Sequence, residues 1–228
     1  MATDICEMYS CFLCAHCLPE WKGAIASNRQ ILHYKKGQPL FSEGEEVSGI
    51  YFIASGAVKV HQSWGPDREL ILHFAKAGDV VGYRGQGGER IFPISATALD
   101  NTVACFISTS FLEATLKTNT SFLYAMMQLY AGELRKAEKR MRDLALMDVR
   151  GRIAEALFAI RDAFALDDQG YISLPVTRLD MASFAGTTYE TVFRLFSDWS
   201  HLGLIETSGK RIRIKDSIRL QEFIRHGG

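Results

Sequence analysis

Four cysteines crowd the first seventeen residues, at Cys6, Cys11, Cys14 and Cys17, and a fifth, Cys105, stands alone far down the chain. Thiols spaced this closely work as thiolates, holding a metal or cycling between redox states. A disulfide framework is the other use of clustered cysteines, but it belongs to exported chains. Here Asp4 and Glu7 occupy the N-terminus with no basic-then-apolar leader, and no apolar run approaches the roughly 18 residues of a membrane span. A cytoplasmic protein that does not contact membranes is therefore expected. A Zn²⁺ ion held by the four N-terminal thiols, with His16 beside them, satisfies the spacing loosely. A dithiol switch or an inert tail satisfies it too. Cys105 by itself reads as a small core residue on an apolar strand. His33, His61 and His73 invite a haem, yet isolated histidines on strands are usually structural. The chain has no nucleophile–base pair, phosphate loop or H-E-x-x-H, so no enzyme is expected.

The elements that must position these residues change character along the chain. Residues 1–22 are short, Cys-dense and interrupted at Pro19, and cannot form a packed unit of their own. From about residue 30 to 108 the pattern is short alternating runs (50–54, 58–61, 69–74, 103–107) broken by Gly37, Gly44, Gly56, Gly65, Gly78 and Gly82. Short strands at this spacing predict a sandwich or a rolled barrel. A short helix follows near 111–116, and then a long one over 120–145. Its apolar positions are Leu123, Met127, Tyr130, Leu134, Ala137, Met141 and Leu144, in alternating steps of four and three. That is the seam along which two helices pack. Glu133, Arg135, Lys136, Glu138, Lys139, Arg140 and Arg142 are expected to stay wet beside it, with Glu138–Arg142 as an i,i+4 pair. At about 1.5 Å per residue the run is about 39 Å long. It is read as a parallel homodimer helix joining two domains; an amphipathic helix packed on its own domain is the bland alternative.

Beyond it, a helix is predicted over about 148–164, a turn at Asp167-Asp168-Gln169-Gly170 and a strand over 171–176. Met181, Ala182, Ala185, Gly186, Val192 and Leu195 then fall where a helix-turn-helix needs small and apolar residues. Ala182 lets two helices approach, Gly186 permits the turn, and Thr187 or Thr188 caps the second helix, which Gly203 stops. Residues 204–207 and 211–214 form a hairpin wing around Ser208-Gly209. With 26 basic and 26 acidic residues the chain is neutral overall, so any nucleic-acid footprint must be local. Lys210, Arg211, Arg213 and Lys215 supply one on the wing. A small α/β domain with a solvated hairpin is the alternative. The expected class is α+β, with a Cys-rich segment (1–22), a β-roll of the cyclic-nucleotide-binding, jelly-roll type (23–117), a dimerisation helix (118–147) and a winged helix-turn-helix (148–228).

This order of domains resembles the CRP/FNR family of bacterial transcription regulators over nearly the whole chain. Three stretches carry the likeness: Gly49-Ile50-Tyr51-Phe52-Ile53-Ala54-Ser55-Gly56, Gly78-Asp79-Val80-Val81-Gly82, and Gly186-Thr187-Thr188-Tyr189-Glu190-Thr191-Val192-Phe193-Arg194. The resemblance implies a homodimer on a palindromic double-stranded DNA site, with RNA polymerase as a further partner. Glu190 and Arg194 match the family's E-x-x-x-R pair. The resemblance gives Arg194 guanine O6/N7 and Glu190 cytosine N4. Glu190 is equally suited to a capping box with Thr187. Phe193 stands where FNR has Ser and the cyclic-nucleotide branch has Gly. It either lies against a thymine methyl or blocks a neighbouring contact. Tyr189 accompanies it, while Thr188, Lys210, Arg211 and Arg213 are expected at phosphates.

Two branches of the family differ in what they sense. The cyclic-nucleotide branch has a Glu after the second Gly of G-D-x-x-G and an Arg-Ser pair facing it; here those places hold Tyr83 and Ile91-Phe92-Pro93-Ile94, with Arg90 nearby. The FNR branch holds a [4Fe–4S] cluster by three N-terminal cysteines and one late in the roll, where Cys105 falls. The resemblance therefore implies an oxygen- or nitric-oxide-labile cluster on Cys11, Cys14, Cys17 and Cys105, with Cys6 spare or substitute. The C-x4-C-x2-C-x2-C spacing departs from FNR in its shorter third gap. A cyclic nucleotide or haem in the roll, and an iron–sulfur electron carrier, are the remaining alternatives.

Overall fold

The computed structural model describes residues 11–65, 68–86, 88–174 and 176–226; Cys6 and the rest of the first ten residues lie outside them. The chain divides into two compact units, one mostly before and one mostly after Arg135, so the division falls inside the long helix.

The first unit starts with α1 (Phe12–His16), a single 3-10 turn (Pro19–Trp21) and α2 (Lys22–Asn28). The strands β1 (Gln30–Tyr34), β2 (Pro39–Phe41), β3 (Gly49–Ser55), β4 (Ala57–Trp64), β5 (Arg68–Lys76), β6 (Val80–Val81), β7 (Ser95–Ala98) and β8 (Thr102–Ser108) follow. They form two four-stranded sheets, ordered β1-β8-β3-β6 and β2-β7-β4-β5. Gly56 makes the one-residue link from β3 to β4. Its φ is +89°, and a Cβ there would stand 2.5 Å from the Asn101 carbonyl, so a side chain is excluded twice over.

Strand periodicity explains the layers. Along β3, Tyr51 and Ile53 join one core with Val58, Phe92 and Ala104, while Ile50 and Phe52 join another. Successive side chains point to opposite faces of the sheet. The first core is the interior of the roll, with Phe41 stacked on Phe92 at 4.1 Å between centroids. The second lies on the outer face of the same sheet. It takes in Cys11, Leu13, Cys14, Cys17 and Ile25 from the N-terminal segment and Leu112, Phe122 and Met126 from the helices after the roll. Residues 11–28 thus have no core of their own and fold by sharing the sheet's outer one.

Those later helices are α3 (Thr109–Thr118), capped by Ser108, and α4 (Thr120–Leu146). Asn119 is fully buried between them, and its Oδ1 accepts the Phe122 N–H to start α4. The apolar seam is solvent-facing in the single chain: Leu123, Met127, Tyr130, Leu134, Ala137 and Met141 are exposed and Leu144 is half-buried. Two of the flanking residues expected to stay wet do not. The Glu133 side chain is only 14% exposed beside Arg84, and the Arg140 guanidinium lies 4.0 Å over the Phe184 ring. Arg142 turns to Asp143, while Lys139 makes the i,i+4 pair with Asp143, so Glu138–Arg142 is not the pair formed. Asp143 is buried and draws both cations.

The second unit continues with α5 (Val149–Phe164), capped by Asp148, then α6 (Arg178–Ala185), α7 (Tyr189–His201), β9 (Ile205–Ser208), β10 (Arg211–Ile214) and α8 (Ser217–His226). Among the described residues the strand expected over 171–176 is not formed. Ile172 makes a single bridge to Leu166, and its N–H is taken by the Ile212 carbonyl, which leaves no run of ladder bonds. Ala156, Leu157, Ile160, Met181, Val192, Trp199 and Leu220 are buried here. No helix among the described residues is long and apolar enough to cross a membrane.

Candidate nucleic-acid interface and cysteine site

The helix-turn-helix is built as the small residues require. Thr177 caps α6 and forms a capping box with Asp180, a box in the sequence that was not anticipated. Gly186 ends the helix at φ +62°, and a Cβ there would stand 2.7 Å from Leu144 Cδ2. Thr188 caps α7 by accepting from the Thr191 N–H, so the Thr187–Glu190 box is not formed and the Glu190 side chain stays on the surface. Arg152 on α5 braces the turn from behind. It donates to the Ala185 carbonyl at 2.9 Å, the Gly186 carbonyl at 3.4 Å and the Met147 carbonyl at 2.7 Å. No sequence signal marks it, because its partners are main-chain oxygens.

On α7 the buried residues are Val192, Leu195, Phe196 and Trp199, and Tyr189, Glu190, Phe193 and Arg194 are all exposed. Glu190 and Arg194 lie one turn apart on one side of that exposed face. Tyr189 and Phe193 lie beside them with their rings stacked, centroids 6.2 Å apart at 23°. The sequence singled out each residue but not this pairing.

The wing is less basic than its composition. Arg211 is bound to Asp167 at 2.5 Å and lies 4.3 Å over the Tyr171 ring. Arg213 pairs with Glu206 and donates to the Gln169 carbonyl at 3.0 Å; Lys215 also faces Glu206, at 3.6 Å. Tyr171 donates its hydroxyl to Glu206 at 2.6 Å. These donors hold the Glu206 carboxyl down to about 2, Tyr171 first and then Arg213. Lys210, at the exposed tip, has no ion pair among the described residues.

In the first unit, Cys105 is wholly buried on β8, opposite Ile31 and Phe52. Its place in the alternation turns it to the outer face of the sheet, into the core that also buries Cys11, Cys14 and Cys17. Cys11 caps α1, its sulfur accepting the Cys14 N–H at 3.4 Å. Burial, then the neighbouring Cys11, pushes the Cys17 thiol up to about 12. Among the described residues no three Cys, His, Asp or Glu side chains converge as one metal ion requires. Cys6, the fourth N-terminal thiol, lies outside the described residues. His16 is exposed on α1, its ring 4.5 Å from Phe12. His61 shares a 2.9 Å hydrogen bond with Thr97.

Tyr83, in the 3-10 turn Tyr83–Gln86, is buried. Its hydroxyl donates to Glu133 on α4 at 2.9 Å, and Tyr130 donates to the Tyr83 carbonyl at 2.7 Å. Burial and the Glu133 charge push the phenol well above its usual range. Arg90 is paired with Glu113 at 3.0 Å.

Comparison with known proteins agrees with this architecture. A cyclic nucleotide-binding domain matches residues 31–119, and a Crp-like helix-turn-helix domain matches residues 151–223. The transcriptional activator protein FnrA of Stutzerimonas stutzeri is 29% identical over 188 residues, covering 82% of this chain and 77% of its own. A CRP-like cAMP-activated global transcriptional regulator of Mycobacterium tuberculosis is 26% identical over 204 residues, 89% of this chain and 91% of its own. The solved structure of FixK2 from Bradyrhizobium japonicum superposes with a TM-score of 0.76 at 26% identity, covering 86% of this chain and 96% of that one. The chain belongs to the CRP/FNR family and is a DNA-binding transcription regulator of that type.

Proposed function

We propose that the protein is a homodimeric, cluster-gated regulator whose effector site is the outer core of the roll. The observation that carries this is the placement of Cys105 on the sheet face against which Cys11, Cys14 and Cys17 are packed. Four thiols share one apolar core, and four thiolates are the donor set a [4Fe–4S] cluster takes. Cys11, Cys14, Cys17 and Cys105 would hold it, with Cys6 as the spare. Bound there, the cluster would supply a centre that oxygen or nitric oxide dismantles.

The chain's own residues do the rest. Phe12 on α1 meets Phe122 in the first turn of α4, 6.2 Å between centroids, so the order of residues 11–17 bears directly on the start of the seam helix. The exposed seam, Leu123 through Met141, pairs with a second copy and places two α7 helices about 34 Å apart on a palindrome. Arg194 and Glu190 then read a G·C pair, and Lys210 and Thr188 hold phosphate. RNA polymerase is proposed as the partner of the DNA-bound dimer.

A cyclic nucleotide is not favoured. Tyr83 stands at the family's Glu position with its hydroxyl already bound to Glu133, and buried Phe92 lies in the segment that would offer the phosphate an Arg-Ser pair.

Protein purified without oxygen should carry about four iron and four acid-labile sulfide per chain. Cys105→Ala should lose both. Zinc in place of iron, unaffected by Cys105→Ala, would contradict the proposal.

A further inference from the structure

The exposed face of α7 has two halves of different chemistry. At 3.6 residues per turn, Glu190 and Arg194 lie about 40° apart around the axis, and Tyr189 and Phe193 lie about 40° apart on the neighbouring side. The aromatic half is exposed, Tyr189 by 45% and Phe193 by 55%, although its outer edge runs into the buried Phe196. The two rings stack on each other and remain exposed. Two large apolar side chains held in one orientation on a solvent-facing helix mark a contact surface. Nothing else about α7 needs them, since Val192, Leu195, Phe196 and Trp199 already fix the helix to its domain.

We propose that Tyr189 and Phe193 form one stacked apolar reader that requires a thymine beside the G·C pair met by Glu190 and Arg194. Phe193 touches the C5-methyl group, and Tyr189 is the positioning residue that keeps the Phe193 ring turned outward. The inference rests on α7 being the helix that meets base edges. Thymine is selected because it alone presents a methyl in the major groove, and that methyl is the one apolar feature a phenyl ring finds there. The charged half and the aromatic half thus read adjacent pairs by different physics, hydrogen bonding on one side and apolar contact on the other.

The test uses the full chain purified without oxygen. A half-site is first selected from randomised duplexes. Each thymine in it is then replaced in turn by deoxyuridine, which lacks only the methyl. One thymine next to the G·C pair should lose about three- to fivefold in affinity per half-site on replacement, the loss expected on uncovering one methyl group. Phe193→Ala should bring that thymine-to-uracil ratio to about one while keeping the demand for the G·C pair. Tyr189→Ala should lower the ratio, and Tyr189→Phe, which keeps the ring and removes the hydroxyl, should restore it. Equal binding of thymine and uracil duplexes by the unsubstituted protein overturns the inference. So does a ratio that survives Phe193→Ala. Selection of no sequence at all would overturn the reading of α7 along with it, so the two failures are distinguishable.

Discussion

The two functional regions display their key side chains in opposite ways. On α7 the residues proposed to read DNA, Tyr189, Glu190, Phe193 and Arg194, are on the surface, held by a helix whose other face is buried. In the first unit all four described cysteines are inside, and the helix carrying Cys14 has only five residues. The difference follows from what each must meet. A base edge arrives from solvent, so the reader must be rigid and exposed. The proposed cluster would need thiolates shielded from water, which a shared core provides. It follows that the α7 side chains can be changed without loss of fold, whereas the cysteine region is inseparable from the stability of the roll.

Leu13→Ala separates the two regions most sharply. Leu13 is wholly buried between Cys11 and Cys14, and its truncation should cost about 2–5 kcal/mol in urea unfolding of the first unit. A cost below about 0.5 kcal/mol, the usual size for a surface site, would show that residues 11–28 do not share the sheet's core. Next in size is Arg194→Ala. It should leave unfolding unchanged and lose about 1–3 kcal/mol of preference at one base pair. Equal losses on specific and random DNA would remove Arg194 from base reading.

The wing provides a smaller contrast within one hairpin. Lys210→Ala should lower the salt dependence of DNA binding by about one phosphate contact. Arg213→Ala should instead lower the melting temperature of the second unit, because Arg213 ties Glu206 and the Gln169 carbonyl to the wing. The reverse pattern would make Arg213 the phosphate contact. Acid should tell the same story. The Glu206 carboxyl is depressed from the ordinary 4.5 to about 2, so its contribution is present above 4.5 and is lost as pH falls toward 2. Amide protection in β9 and β10, corrected for the intrinsic pH dependence of exchange, should therefore hold steady from neutral pH to about 5 and fall only below 4.5.

These particulars mark what the sequence made legible. The seam of α4, the strands around Gly56 and the small residues of the helix-turn-helix follow local periodicity, and a period of 2 or 3.6 can be read without knowing the fold. The Thr177–Asp180 box is an equally local signal, whereas Thr187–Glu190 has the same spacing and forms no box because Thr188 caps α7. What escaped the pattern was long-range. Arg152 grips main-chain oxygens more than thirty residues away, Arg140 finds Phe184, and Tyr83 finds Glu133. The wing arginines were counted as free charge because Asp167 and Glu206 reach them only once the hairpin and the turn are folded together. Even the outward turn of Cys105, a matter of strand alternation, has meaning only because α1 packs on that outer face.

The most direct test of cluster gating is the affinity of the full chain for its selected palindrome, measured first on iron-loaded protein under strict anaerobiosis and again after air exposure. A loss of about 5–150-fold, the range of an ordinary allosteric coupling, is predicted. It should run parallel to the loss of iron and be absent in Cys105→Ala, which should bind weakly in both conditions. Affinity unchanged by air, with iron lost, would contradict the account.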